Sequence, residues 1–241
     1  MNKAVVIGGN GFLGSHIVDI LGADTAGRSE DNDIVLDVLD KDSLKELRHY
    51  KKVINCVGLS PLRSPKVPYE AVHIYGVRNI VSVLRDEQKF VHISAAGTHL
   101  DSDSTYFKTK WLGEQEAFKH EKTTVIRPGL MLGEGSEFDS SLNLARLTRV
   151  FPNIDTKVMP ISVKRVARAV AKSECEGDIK VVGGEPRTVS SVVRDQVKGP
   201  VLLLPAFLWK PFFYMATKLG IFGLSEEQRI LLREGAVDYL D

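Results

Sequence analysis

Ala4-Val5-Val6-Ile7-Gly8-Gly9-Asn10-Gly11-Phe12-Leu13-Gly14-Ser15-His16-Ile17-Val18-Asp19-Ile20-Leu21 decides how the rest of this chain is read. The apolar, mostly β-branched run before Gly8 predicts a buried strand, and apolar positions at helical spacing after Gly14 predict a helix. Between them Gly8, Gly11 and Gly14 follow the pattern G-x-x-G-x-x-G, with Phe12 and Leu13 inside the same turn. The first glycine permits a tight turn with φ > 0, which a side chain resists. The second lets backbone approach a pyrophosphate, and the third lets helix pack on strand. The N–H groups and positive dipole end of such a helix suit phosphate. A glycine triplet alone also occurs in plain turns, but strand, turn and helix in this order point to a dinucleotide site.

Working outward, Ala23 to Ser29 is a weak second strand whose end should lie beside an adenosine ribose. An acidic residue there favours NAD, whereas an arginine favours the 2′-phosphate of NADP. Arg28 and Ser29 hold that place, so NADP(H) is preferred and NAD(H) is the alternative. The competing reading is that Arg28 only solvates a loop carrying Glu30, Asp31 and Asp33. Strands are predicted at Ile34–Val38, Val53–Gly58, Phe90–Ser94 and Thr123–Arg127. Helices are predicted at about 42–49, 69–84 and 105–120. This alternation argues for a parallel sheet covered on both faces, an α/β, Rossmann-like doubly wound fold.

Tyr106 and Lys110 stand four apart on the helix after the Phe90–Ser94 strand, and so share a face. An ammonium near a phenol favours phenolate and lowers its pKa, which would make Tyr106 a general acid/base near neutrality. Lys110 can also donate to ribose hydroxyls. Y-x-x-x-K alone is common on solvated helices; its place after this strand of a glycine-fingerprint sheet gives it weight.

In this order the motifs resemble the atypical or extended short-chain dehydrogenases/reductases, the NAD(P)-dependent epimerase/dehydratase-like branch, over about residues 3–190. They are Gly8-x-x-Gly11-x-x-Gly14, Asp37-Val38, Asn55-Cys56-Val57-Gly58, Gly76-Val77-Arg78-Asn79, Val91-His92-Ile93-Ser94, Tyr106-x-x-x-Lys110 and Arg127-Pro128-Gly129 with Gly133. By that resemblance Asp37 and Val38 contact adenine, the loop of Cys56, Val57 and Gly58 borders the ribose, and Pro128 and Gly129 flank the nicotinamide. Gly-Asn-Gly-Phe-Leu-Gly, His-Ile-Ser-Ala-Ala-Gly and Tyr-Phe-Lys-Thr-Lys look most similar to one group of that family. It comprises the NADPH-binding accessory subunit of respiratory complex I, its prokaryotic relatives and a mitochondrial protein of coenzyme Q biosynthesis. Two departures stand out. Ala95 and Ala96 follow Ser94 where the family places a carbonyl-polarising hydroxyl, so either Ser94 or Thr98 serves, or Ser94 only bonds backbone at the strand end and the site lacks that hydroxyl. His73 sits where the family often has asparagine.

Other features bound the function. The 241 residues carry a net charge of +1, 43% hydrophobic and 26% charged residues, which is ordinary for a globular protein and offers nucleic acid no basic field. Cys56 and Cys175 lie far apart, and no metal-ligand spacing occurs among the histidines. His92, alternating with Val91 and Ile93, reads as a packed polar residue. The first strand starts almost at Met1, so a leader is not expected and a cytoplasmic place is.

The organisation expected is a Rossmann domain over 1–198, including a small substrate-side α/β lobe that small strands around Lys180-Val181-Val182 complete, and an apolar helical segment over 199–241. Gly199 to Leu224 is strongly apolar but broken by Pro200, Pro205, Pro211, Lys210 and Lys218, too interrupted for a membrane span. It is read as a flap over an apolar pocket, a docking surface for a membrane complex, or an interfacial segment at residues 200–224. Two functions follow. One is an oxidoreductase acting on a small apolar carbonyl or quinone-related molecule. The other is a non-catalytic NADPH-binding subunit of a respiratory or quinone-biosynthesis complex.

Overall fold

A computed structural model describes residues 4–62, 66–219 and 225–238. In chain order, β1 (Ala4–Ile7), α1 (Phe12–Leu21), β2 (Asp24–Gly27) and β3 (Ile34–Val35) lead to a 3-10 helix at Lys41–His49 and β4 (Lys52–Asn55). A π-helical turn at Ala71–Gly76 runs into α2 (Val77–Val83), followed by β5 (Lys89–Ile93), α3 (Thr105–Ala117) and β6 (Thr123–Pro128). Then come β7 (Leu130–Leu132), α4 (Glu137–Ser141), α5 (Asn143–Thr148), β8 (Val150–Pro152), β9 (Lys157–Val158), β10 (Pro160–Ser162) and α6 (Val163–Ala171). The chain closes with β11 (Asp178–Val182), β12 (Arg187–Thr188), α7 (Val189–Gln196), β13 (Leu202–Leu204), α8 (Ala206–Leu219) and α9 (Glu226–Glu234).

Seven strands make one sheet in the order β11-β6-β5-β4-β1-β2-β3. Every pairing in it is parallel. That is a doubly wound arrangement, whose order reverses between β1 and β4 and leaves a crevice there.

Strand alternation sorts the core into two layers, because successive side chains point to opposite faces. Val6, Ile54, Val91 and Ile126 pack on one side with Ile17 of α1 and Val163, Val166 and Val170 of α6. Val5, Ile7, Val53 and Phe90 pack on the other with Leu44, Leu47, Val77 and Ile80.

Three strands differ in extent or place from the expectation. β3 stops at Val35, because Leu36 donates to the Gly27 carbonyl and the chain then turns through the Asp37 carboxylate and Ser43. β11, expected in the substrate-side lobe, is an edge strand of the main sheet, paired with β6 over its full length. That lobe is instead built from α5, α7, β9 and β12 around Leu142, Ala145, Val192 and Val193. Beyond residue 199, β13 pairs in parallel with β8. Ala236 donates to the Lys157 carbonyl at 3.1 Å.

Candidate active site

At the carboxyl ends of β1, β2 and β4 lies a cleft of about 680 Å³. Its walls include Gly8, Gly11, Arg28, Ser29, Cys56, Val57 and Gly58 of the sequence-derived set, together with Asn10 and Asn32, which the sequence reading passed over. Gly8 adopts φ +78°, as its place in the turn requires. A Cβ on Gly14 would sit 2.1 Å from the Gly8 carbonyl oxygen, so α1 can start against the turn only with glycine there. Gly11 caps α1 in an extended conformation without a side-chain hydrogen bond. The first N–H groups of the helix therefore face a concavity walled by backbone, a shape and polarity that fit a pyrophosphate. Leu13 is buried in the core beneath, and the Phe12 ring lies 3.3 Å from where a Gly133 Cβ would be.

The far end of the cleft is set by the turn after β2. Asp33 accepts from the Thr25 N–H and hydroxyl, both at 2.8 Å, and these bonds hold its carboxyl below the usual range. Asp31 accepts from Ser29 at 3.1 Å. With these two acids engaged locally, Arg28 is the charged residue lining the cleft. Asn32 donates to the Ser29 carbonyl at 2.9 Å, while its buried Oδ1 has no partner among the described residues. Asp37 and Val38 do not line this cleft. The Asp37 carboxylate accepts from Leu39, and Val38 packs against Gly76. Pro128 ends β6, where its carbonyl accepts from Ala96, and Gly129 packs against the Met159 carbonyl.

Lys110 is buried on α3 and donates to the Ile93 carbonyl at 3.0 Å. Its Nζ lies 2.9 Å from where a Gly58 Cβ would be, so a side chain at 58 would meet the ammonium. Burial lowers the Lys110 pKa to about 8. One of its three N–H groups is used on Ile93, which leaves donors for ribose hydroxyls at the cleft.

The Tyr106 ring meets Tyr69 edge-on at 5.9 Å and His73 at 5.6 Å. Burial first, then Tyr69 and Glu137, push the phenol above its ordinary pKa. This corrects the expectation that Lys110 would lower it: the ammonium is turned to Ile93 and Gly58, and the groups acting on the phenol are apolar or acidic. Tyr106 is thus a phenol that stays protonated at neutral pH.

Ser94 is 4% exposed and its buried hydroxyl has no partner among the described residues, while Thr98 donates to the Ala95 carbonyl at 2.6 Å. Of the two candidate carbonyl-polarising hydroxyls, Ser94 has its proton uncommitted. Cys56, beside the ammonium's loop, has a thiol pushed up to about 12 by burial and is inert at neutral pH.

His73 is the functional residue whose role the sequence left open. Its Nε2 accepts from Leu59 N–H at 2.9 Å, so Nδ1 carries the proton toward Thr109 Oγ1 at 3.0 Å. Burial, then Lys110 and His92, lower its pKa to about 2, so the ring is neutral. It thereby ties the loop after β4 to the helix carrying Tyr106 and Lys110. His92 accepts from Asn55 on Nδ1 at 3.2 Å, since the Asn55 oxygen takes the Val57 N–H; its buried Nε2 has no partner among the described residues.

Glu227, also missed, reaches from α9 to the start of α3, accepting from Ser104 Oγ, from Thr105 N–H at 3.2 Å and from Tyr106 N–H at 3.0 Å. On the substrate side Ser60 donates to Glu137 across the mouth of the site. Among the described residues no cluster of His, Cys, Asp or Glu could hold a metal ion.

No protein-family model matches the chain. A mitochondrial NADH-ubiquinone oxidoreductase 40 kDa subunit from Neurospora crassa is 27% identical over 141 residues, covering 57% of this chain and 37% of that subunit. The chain thus matches little more than a third of that relative's length. Solved structures share the fold. A dTDP-4-dehydrorhamnose reductase from Clostridium acetobutylicum superposes with TM-score 0.69 at 19% identity, over 84% of this chain and 83% of that one. The UDP-glucose 4-epimerase of Thermus thermophilus, solved with NAD, gives TM-score 0.65 at 20% identity over 84% and 86%. The fold is therefore the Rossmann-like one that this reductase and this epimerase share, as the order of strands and helices led one to expect.

Proposed function

We propose that this chain binds NADP(H) in the cleft and reduces a small apolar carbonyl, with Tyr106 as proton donor. The observation that carries the reading is the joint placement of the glycine-walled cleft, buried Lys110 beside Gly58, and protonated Tyr106 one helical turn before it. Gly8, Gly11 and the start of α1 would hold the pyrophosphate, Arg28 and Ser29 the 2′-phosphate, and Lys110 the ribose hydroxyls beside Gly58. The nucleotide supplies the hydride when bound. The Tyr106 hydroxyl, whose pKa burial keeps high, gives its proton to the carbonyl oxygen as charge develops there. Ser94, with its hydroxyl proton uncommitted, is the donor that orients that oxygen.

A second reading, a nucleotide-binding subunit without turnover, is favoured by Ala95-Ala96 and by Thr98 spending its proton on the backbone. The similarity to a respiratory-complex subunit speaks for it too. Tyr106→Phe separates the two. The reductase reading expects a loss of turnover of at least a hundredfold, the scale of a general acid, with NADPH affinity within twofold of wild type. Unchanged turnover removes Tyr106 from the chemistry. Absence of turnover in the wild type on short-chain quinones and simple aldehydes, with tight NADPH binding, supports the subunit.

A further inference from the structure

The N–H groups at the start of a helix have no partner inside it, and at α3 a segment far along the chain supplies part of what they need. Ser104 N–H donates to Ser102 Oγ at 2.9 Å, and Phe107 N–H to Ser104 Oγ at 3.2 Å. The two groups between them, Thr105 N–H at 3.2 Å and Tyr106 N–H at 3.0 Å, donate to the Glu227 carboxylate of α9. Glu227 also accepts from Ser104 Oγ. A carboxylate there meets the positive pole of the helix as well. Farther along α9, Glu234 accepts from Ser102 Oγ and from Asp103 N–H at 2.9 Å, and Arg233 pairs with Asp103. None of the residues of α9 is buried, so its attachment leans on these polar bonds.

The chain beyond α9 reaches the other half of the site. Gly97, in the turn that carries Ser94 and Thr98, adopts φ +84°. A Cβ on it would stand 3.1 Å from Ala236 Cα and 3.3 Å from Phe107 Cζ, so this turn is enclosed between α3 and the residues after α9. Ala236 is itself fixed by its N–H, which donates to the Lys157 carbonyl. Two residues on, the Asp238 carboxylate accepts from Arg127 at 3.1 and 3.3 Å. The same guanidinium donates to Glu114 of α3 at 2.9 and 2.7 Å. Residues 225–238 thus hold α3 twice, at its first turn directly and one turn beyond Lys110 through Arg127.

We propose that Glu227 is a positioning residue for Tyr106, within a clamp of residues 225–238 that sets the phenol helix and the Ser94 turn against one carbonyl. The proposal rests on the reductase reading. Glu227 touches no reacting atom; it holds the backbone of residues 105 and 106, from which the Tyr106 side chain leaves. The Ser104 cap does not replace it, because that hydroxyl oxygen is engaged with Phe107. A displacement of about 1 Å at a reacting group can cost about a hundredfold in rate. The candidate nucleotide contacts do not pass through Glu227, since Lys110 is anchored on Ile93 and the glycine turn lies at the start of α1. Loss of Glu227 should therefore act on kcat and spare nucleotide binding.

Glu227→Leu and Glu227→Gln test this in the full chain, with Glu226→Gln, whose carboxylate bonds Arg229, as control. In steady-state reduction of a short-chain quinone by NADPH, Glu227→Leu should lower kcat by about tenfold or more, with KM and NADPH affinity within about twofold of wild type. Glu227→Gln keeps one acceptor oxygen and should recover part of that loss, and Glu226→Gln should lose none. Amide hydrogen exchange gives a readout that does not need turnover. Residues 104–107 should exchange about tenfold faster or more in Glu227→Leu, and residues 110–117 no faster. Unchanged exchange at residues 104–107 overturns the proposal. So does a kcat within about twofold of wild type, or a parallel loss of NADPH affinity, which marks a merely structural role. If the wild type reduces no carbonyl, the reductase reading fails, and the hold of Glu227 on Tyr106 stands or falls on exchange.

Discussion

Gly14→Ala puts the account of the cleft at risk with one methyl group. On helix propensity alone the change stabilises, by about 1 kcal/mol, because alanine loses less backbone freedom in a helix. The structure opposes it. The new Cβ would stand 2.1 Å from the Gly8 carbonyl oxygen and 2.9 Å from Gly9 Cα, backbone atoms that cannot swing aside as a side chain would. Forcing extra volume into such a contact costs about 1–3 kcal/mol. The clash therefore matches or exceeds the propensity gain, and the net effect is a loss of up to about 2 kcal/mol. At about 2–4 °C per kcal/mol for a chain of this size, the melting temperature falls by up to about 8 °C.

The larger effect should be on the ligand. A hundredfold excess of NADPH over its dissociation constant stabilises the wild type by about 2.7 kcal/mol. If α1 must move off the Gly8 turn and affinity drops tenfold, the same nucleotide concentration gives about 1.4 kcal/mol. The assay is thermal unfolding of both proteins with and without NADPH. Ser15→Ala is the control, one residue along the same helix and exposed, where helix propensity rises and only a solvent-exposed hydroxyl bond to the Phe12 carbonyl is lost. A Gly14→Ala protein that melts no lower than wild type and keeps the full nucleotide shift would refute the reasoning, since the close approach at Gly8 would then not define the site.

Two further changes probe the groups around Tyr106. Lys110 keeps its ammonium below about pH 8 and, unfolded, up to the ordinary lysine range. The unfolded state thus binds more protons between those limits, and this residue's contribution makes stability rise with pH across that window. NADPH affinity should move the opposite way, weakening above about pH 8 as the ribose donor discharges. Lys110→Met should lower affinity and flatten both profiles, and an unaltered profile in isothermal titration would exclude the lysine. His73→Leu leaves the Leu59 N–H and the Thr109 hydroxyl without their ring partner. It should cost about 1–3 kcal/mol in denaturant unfolding near pH 8, and less as the pH falls through the ordinary histidine range, because folded His73 stays neutral, its pKa lowered to about 2, while the unfolded imidazole takes up a proton.

The cleft was legible because a backbone requirement wrote it into the sequence: Gly8, Gly11 and Gly14 stand where a side chain would collide with a turn or a ligand. Order of strands and helices was legible for a similar reason, since Val5/Val6 and Val53/Ile54 announce a sheet buried on both faces. The ionisation of Tyr106 was not legible. Spacing puts Lys110 on the same helix face, but direction and burial decide the pKa: the ammonium donates to the Ile93 carbonyl, while burial, Tyr69 and Glu137 raise the phenol. Glu227 escaped for want of any local signal, because it reaches Tyr106 from 121 residues away in sequence. His73 was visible as a departure from a family pattern, yet its work depends on a π-helical turn that aims the ring at Leu59 and Thr109. The strand around Lys180–Val182 was expected in the substrate-side lobe because a short apolar strand carries no mark of its partner, and here the partner is β6 of the main sheet.

The most direct measurement is a fluorescence titration of the purified chain with NADPH and with NADH, repeated on Arg28→Ala. The account predicts saturable binding of both, with NADPH at least tenfold tighter, and near-equal affinities once Arg28 is removed. Failure to bind either nucleotide, or an NADH preference that Arg28→Ala leaves unchanged, would contradict it.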